Sequence, residues 1–217
     1  PNYLIFPLLM DYNLIKINGI SMRPTLVTGD RLLVKSEFDE FVKGRVYTIN
    51  KNNKIYVKRL IGFPNDIIII KNGRITRNNK PFNYQKISST IYGGFLWISR
   101  NNINKPHVDL ALETDNHGNK NLVFLPKLQK QNTKEFILKP LKNQYVFIGD
   151  AREYSTDSRS KNFGYIKQSE IEFEVVSMVY STSKIPLHKD ENRYLINLSD
   201  NNVEKHMKYT IKDIFHY

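Results

Sequence analysis

From residue 170 to 175 the chain alternates without a break: Glu170, Glu172 and Glu174 are charged, while Ile171, Phe173 and Val175 are apolar. A period of two sorts such residues onto opposite faces of an extended strand and would smear them around a helix. One face is then buried and the other solvated, which commits this segment to a sheet packed on one side. The same reading extends upstream. Arg31-Leu32-Leu33-Val34 follows a Gly29-Asp30 turn, and the runs 45–49 and 54–60 are separated by the polar turn Asn50-Lys51-Asn52-Asn53. The runs 66–71 and 74–77 flank Asn72-Gly73, a dipeptide that accepts the positive φ of a tight hairpin. Residues 145–148 are apolar and stop at Gly149-Asp150. The 13 Tyr and 12 Phe suit a pleated surface, so the chain reads as mainly β.

Two stretches depart from this pattern. Residues 83–140 are polar, carry Gly93-Gly94 and the turn-like Asp115-Asn116-His117-Gly118-Asn119, and hold weaker strands at 108–112 and 122–125. They read as an inserted β subdomain. Near the C-terminus, Asn201 with Glu204 three residues later forms a capping-box pattern, and Val203, Met207, Ile211 and Ile214 then share one helical face. A short C-terminal helix is predicted there, packed on its own domain in preference to a membrane.

Hydrophobic residues make up 40% of the chain, enough for a core. No run of about 20 apolar residues is present to span a bilayer. The nearest, residues 3–10, is broken by Pro7. The absence of cysteine excludes disulfides and thiolate metal sites. His107, His117, His188, His206 and His216 lack ligand spacing, so neither a metal nor another cofactor is expected. The net charge of +12 suits an anionic partner, a membrane surface or a nucleic acid, but no long basic run concentrates it.

Three segments carry candidate chemistry. The first is Gly19-Ile20-Ser21-Met22-Arg23-Pro24-Thr25-Leu26, followed by Gly29-Asp30. Alone, a serine before a proline turn reads as a local hydrogen-bonding cap. The second is Tyr56-Val57-Lys58-Arg59-Leu60-Ile61-Gly62-Phe63-Pro64-Asn65-Asp66. Lys58 lies inside an apolar strand on the face of Tyr56, with Val57 on the other face; alone, it reads as an edge-strand guard. The third, residues 149–166, contains Gly149-Asp150-Ala151-Arg152-Glu153-Tyr154-Ser155-Thr156-Asp157-Ser158-Arg159. It is a polar loop dense in hydroxyls, in which Asp157 and Arg159 can pair.

Taken together and in this order, the segments resemble three boxes of the type I signal peptidase family: Ser-Met-x-Pro-Thr, Lys-Arg-x-x-Gly-x-Pro-Gly-Asp and Gly-Asp-Asn-Arg-x-x-Ser-x-Asp-Ser-Arg. The resemblance covers residues 15–66 and 145–175. Asn65 stands where the family usually has Gly, Ala151 where it has Asn, and Lys167 where it has Pro. Gly19 occupies the position two before the nucleophile, where some members have a Ser that serves the oxyanion hole.

The resemblance implies a mainly β, signal-peptidase-like fold of antiparallel sheets. Its catalytic core would be 13–82 and 141–185, with 83–140 the inserted β subdomain and 186–217 a C-terminal extension. It implies Ser21 as nucleophile, Lys58 as general base, Ser155 hydrogen-bonded to the Lys58 amine, and an Asp157–Arg159 salt bridge that fixes the loop. The oxyanion hole would rest on the Ser21 backbone N–H. An extended peptide would add as a strand, with Ile15, Ile17, Gly19, Met22, Leu26, Tyr56 and Val57 bordering its cleft. The implied partners are signal peptides of exported preproteins and an anionic membrane surface on the extracytoplasmic side; no nucleic acid is expected. The family's usual N-terminal membrane anchor is expected upstream, with residues 1–12 a remnant of its membrane-proximal segment.

The chemistry is coherent on the residues alone. A serine hydroxyl needs a base, and no His lies near any of the three segments. A lysine serves when it is neutral, which requires burial; Val57, Leu60 and Ile61 supply apolar neighbours. Ser–Lys pairs follow the same logic as the Ser–His–Asp triad. Four readings compete. A conjugative-transfer peptidase of the same superfamily shares these features. The self-cleaving domain of SOS-type repressors shares the pair but lacks the third box. A nucleic-acid-binding β barrel would interleave Lys with aromatic residues, for which Tyr47, Tyr56 and Lys58 are the only hint. A catalytically dead family member would keep the fold and lose the reaction.

Overall fold

Asparagine-built turns set the strand register. Asn52-Asn53 (φ 53° and 59°), Asn72-Gly73 (51° and 74°) and Asn78-Asn79 (52° and 64°) each place two consecutive residues at positive φ. That is the mirror-image turn whose twist matches a hairpin. The computed structural model describes residues 11–90, 108–127, 134–180 and 196–197. Its strands are β1 (Tyr12–Lys16), β2 (Arg31–Lys35), β3 (Val46–Lys51), β4 (Lys54–Gly62), β5 (Ile68–Lys71), β6 (Arg74–Arg77), β7 (Lys80–Pro81), β8 (Asn83–Thr90), β9 (Val108–Thr114), β10 (Lys120–Pro126), β11 (Glu135–Leu138), β12 (Gln144–Ile148), β13 (Ile166–Lys167), β14 (Ile171–Tyr180) and β15 (Ile196–Asn197).

These strands form three antiparallel sheets, as the mainly β reading expected. The largest runs β1-β2-β14-β3-β4-β12-β13, with β15 on β14; the others run β10-β9-β8 and β11-β5-β6-β7. Thus β9 pairs with both β8 and β10, whereas β11, inside the stretch read as inserted, pairs with β5. The alternating strand β14 lies in the middle of the large sheet, with Val175 buried. Its charged face departs from expectation. Glu174 is buried, because Lys35 at 3.3 Å and Arg45 both close on its carboxylate.

One core cluster joins Ile17, Met22 and Leu26 to Leu32, Val34, Val46, Val175 and Met178. Each fully buried aliphatic side chain contributes about 1.5–3 kcal/mol, so the turn between β1 and β2 is anchored by its own apolar residues. Among the described residues the only helical element is a 3-10 turn at Gln168–Glu170, and no helix is long and apolar enough to cross a membrane. The predicted C-terminal helix and residues 1–10 lie outside the described residues.

Candidate active site

Ser21 opens the turn that connects β1 to β2. Met22 and Leu26 are buried on either side of that turn, and Leu26 N donates to Met22 O at 2.9 Å. Ser21 itself stays half-buried at the surface of the cluster. Lys58 lies on β4, opposite Tyr47 of β3. Its side chain is 2% exposed, and Nζ donates to Ser21 Oγ at 2.7 Å and to Val57 O at 2.9 Å. Burial pulls the amine down from its ordinary 10.5 to about 8. Asp157 and Asp150 act against that shift, and Arg159 adds to it. About a tenth of the amine is then neutral at pH 7, against fewer than about one in a thousand for a free lysine.

The next residue, Arg59, points to the other face of β4, as strand alternation requires. The register pairs Arg59 with Ile148 of β12, which brings Gly149-Asp150 alongside Lys58-Arg59. Arg59 grips Asp150 with two bonds, Nε to Oδ1 at 2.9 Å and Nη2 to Oδ2 at 2.6 Å. Thr25 Oγ1 donates to the same Oδ2 at 2.5 Å. Asp150 therefore ties the strand of the amine to the turn of the hydroxyl.

The third segment closes over this junction. Ala151 N donates to Ser21 O at 3.0 Å, while Phe124 N donates to Asp150 O and Arg152 N to Phe124 O, both at 3.0 Å. Asp157 accepts Gly149 N at 3.0 Å and both Arg159 Nε (2.8 Å) and Nη2 (2.7 Å). A Cβ at Gly149 would lie 2.2 Å from Ser155 Oγ and 2.5 Å from Ser21 O. Only glycine lets this backbone approach so closely.

Some expectations need correction. Ser155 Oγ is buried beside Gly149 and has no hydrogen-bond partner among the described residues, so it does not hold the Lys58 amine in this structure; the amine turns to Val57 O instead. Ile17, Met22 and Leu26 do not border an open cleft. At 6%, 3% and 0% exposure they are core. Ile15 and Val57 pack against that cluster while staying partly exposed, Gly19 is exposed, and Tyr56 stands edge-on to Phe163 at 5.0 Å.

The sequence reading also missed Thr25, Arg59 and Asp150 as a unit, and a deeper one. Arg152 is fully buried, with Nε on Gly149 O (3.2 Å), Nη1 on Gly73 O (2.6 Å) and Nη2 on Glu113 Oε2 (2.6 Å). Tyr84 OH donates to the same Glu113 oxygen at 2.6 Å. The available signal was Glu113 at the end of the strand-like run 108–112, since a charge buried in a strand needs a partner. Among the described residues no group of acidic or histidine side chains is arranged to hold a metal.

A sequence profile of the family described as "Signal peptidase, peptidase S26" matches residues 3–180. The chain is 31% identical over 149 residues to signal peptidase I P of Bacillus subtilis subsp. natto, covering 66% of this chain and 64% of that protein. The matched stretch thus spans just under two thirds of that relative's length. It is 31% identical over 160 residues to signal peptidase IB of Staphylococcus aureus (strain COL), covering 71% of each. A solved signal peptidase I from Enterococcus faecalis V583 is similar at 21% identity and a TM-score of 0.36, over 65% of this chain and all of that one.

Proposed function

The chain belongs to the signal peptidase family, peptidase S26, and on that premise we propose that it is a serine endopeptidase of Ser–Lys type that removes N-terminal signal peptides from exported proteins at a membrane surface. The observation that carries this reading is the 2.7 Å contact between Lys58 Nζ and Ser21 Oγ, with the amine titrating at about 8. In the neutral amine, the Nζ lone pair takes the Ser21 proton as Oγ attacks the scissile carbonyl carbon. The Ser21 backbone N–H receives the oxyanion, with no help from a side chain at Gly19. Lys58 then gives its proton to the leaving amine nitrogen, which departs and leaves an ester on Ser21. A water loses a proton to Lys58, attacks that ester, and the carboxylate product leaves as the proton returns to Ser21 Oγ.

Asp157 and Arg159 hold the loop that supports Ser21. The substrate is an extended peptide lying between Gly19 and the partly exposed Ile15, Tyr56 and Val57. Exposed Leu14 and Ile20 flank the nucleophile turn at 64% and 41% exposure and suit contact with lipid on the extracytoplasmic face. Anionic lipid suits the net charge of +12. Residues 13–82 and 141–185 act as the catalytic core and 83–140 as the insertion.

The test is incubation with a preprotein that carries an Ala-x-Ala cleavage site, in anionic vesicles at about pH 9, with mass analysis of the new N-terminus. Cleavage after that site by the wild type and none by Ser21→Ala is the expected result. No cleavage by the wild type, or equal cleavage by both, rejects the reading.

A further inference from the structure

The β1–β2 ladder does not stop where the strands do. Past the Lys16–Arg31 pair, Ile17 N donates to Asp30 O at 2.8 Å and Gly29 N donates to Ile17 O at 2.9 Å. Ile17 thus opposes two residues in a bulge, and just beyond it Gly19 comes alongside Thr28. No backbone group of Thr28 completes this rung. Its side chain does so: Gly19 N donates to Thr28 Oγ1 at 3.2 Å, and Thr28 Oγ1 donates to Gly19 O at 2.9 Å. One hydroxyl thus satisfies both backbone groups of one residue, as an opposing strand would.

The stretch it holds has little else to hold it by packing. Asn18, Gly19 and Ile20 are exposed, between buried Ile17 and buried Met22. Gly19 sits at φ 141°, and a Cβ there would meet nothing within 4 Å. Alternation has a second consequence. With Ile17 and Gly19 bonded toward β2, the backbone groups of Lys16 and Asn18 point to the opposite side. Among the described residues that side is the open edge of the large sheet, since β1 is its terminal strand. The edge runs directly toward Ser21.

We propose that Thr28 is a positioning residue: its hydroxyl stands in for an absent strand and prolongs the β1 edge up to the nucleophile, so that an extended peptide finds ordered backbone partners through Asn18. This rests on the peptidase reading of the site. Thr28 touches neither substrate nor the reacting atoms; it acts through Gly19.

The experiment compares wild type, Thr28→Val and Thr28→Ser. Thr28 is exposed, so these changes do not threaten the fold. Two readouts are taken. One is the ratio of kcat/KM for a long peptide lying along the whole edge to that for a peptide truncated close to the scissile bond. The other is amide hydrogen exchange at Gly19. Loss of one or two modest hydrogen bonds predicts that Thr28→Val lowers the ratio about fivefold and speeds exchange at Gly19, while Thr28→Ser restores both. An unchanged ratio, an equal loss on both peptides, a Ser variant as poor as Val, or unchanged exchange at Gly19 overturns the inference. If the wild type cleaves neither peptide, the peptidase reading fails. Exchange at Gly19 then decides alone: faster exchange in Thr28→Val keeps the Thr28 rung, and no change removes it.

Discussion

The Lys58 amine lies 2.7 Å from the Ser21 hydroxyl, although 37 positions separate the two residues in the chain. Nothing local makes them meet. Met22 and Leu26 pin the Ser21 turn into the core, the β3–β4 register buries Lys58, and Asp150 binds Thr25 and Arg59 at once. The contact is the point where three separate constraints agree.

Ser21→Ala and Lys58→Ala each lower kcat by at least about a thousandfold, because groups acting as a unit lose nearly everything when either is removed. Lys58→Arg fails as badly, since a guanidinium does not give up its proton near neutral pH. Circular dichroism spectra matching the wild type separate lost chemistry from lost fold. Robust turnover by Lys58→Arg contradicts the assignment of the base.

Activity rises with pH. In the proposed mechanism the working form is the neutral amine, and burial sets its pKa at about 8. The lower limb of the kcat/KM profile therefore climbs about tenfold per pH unit and levels off above about 8. A flat profile from pH 6 to about 10 removes Lys58 from the role.

The same shift costs stability. Lys58 has a folded pKa below its ordinary 10.5, so protonation favours the unfolded chain. The penalty is full below about pH 8, fades as pH rises toward 10.5, and is absent above. Lys58→Met removes it and stabilises the protein at pH 7 by up to about 3 kcal/mol, with the gap closing by about pH 10.5. Denaturant titrations at both pH values measure this. A variant less stable than wild type at pH 7 refutes it.

Gly149→Ala forces a methyl group against Ser155 Oγ at 2.2 Å and Ser21 O at 2.5 Å. It is expected to cost about 1–3 kcal/mol of stability and to abolish activity by shifting the nucleophile turn. Ser155→Ala does the opposite to stability. Its hydroxyl is buried and unpartnered among the described residues, so its loss leaves the melting temperature unchanged or raises it. A lower melting temperature for Ser155→Ala shows that the hydroxyl has a partner in solution.

Under the proposed function, peptides with small side chains one and three residues before the scissile bond are expected to be cleaved fastest, because alternate residues of a bound strand face the protein. Competition between an Ala-x-Ala peptide and one with Leu at both positions reads this directly. Equal rates reject it.

Much of the architecture was legible because it is local. Asn72-Gly73 announced its hairpin through φ alone, and Asn78-Asn79 carries the same signature, although it was not read as one. The runs at 31–34, 54–60, 74–77 and 145–148 became β2, β4, β6 and β12. The edge strand β1 was not legible, since Tyr12-Asn13-Leu14-Ile15-Lys16 has no clean period and pairs on one side only. Glu174 reads as a solvated residue in its strand pattern, but Lys35 on β2 and Arg45 just before β3 make it an interior one.

By itself the sequence determined which chemical groups are available and which short turns are permitted: a serine in a proline turn, a lysine in an apolar strand, a glycine before Asp150. These depend on residue type and nearest neighbours. Only the tertiary structure decided that Lys58 titrates at about 8, that Met22 and Leu26 are core, that Ser155 is unpartnered, and that Arg152 meets Glu113. Burial and pairing are sums over atoms brought together from distant parts of the chain, so no window along the sequence contains them.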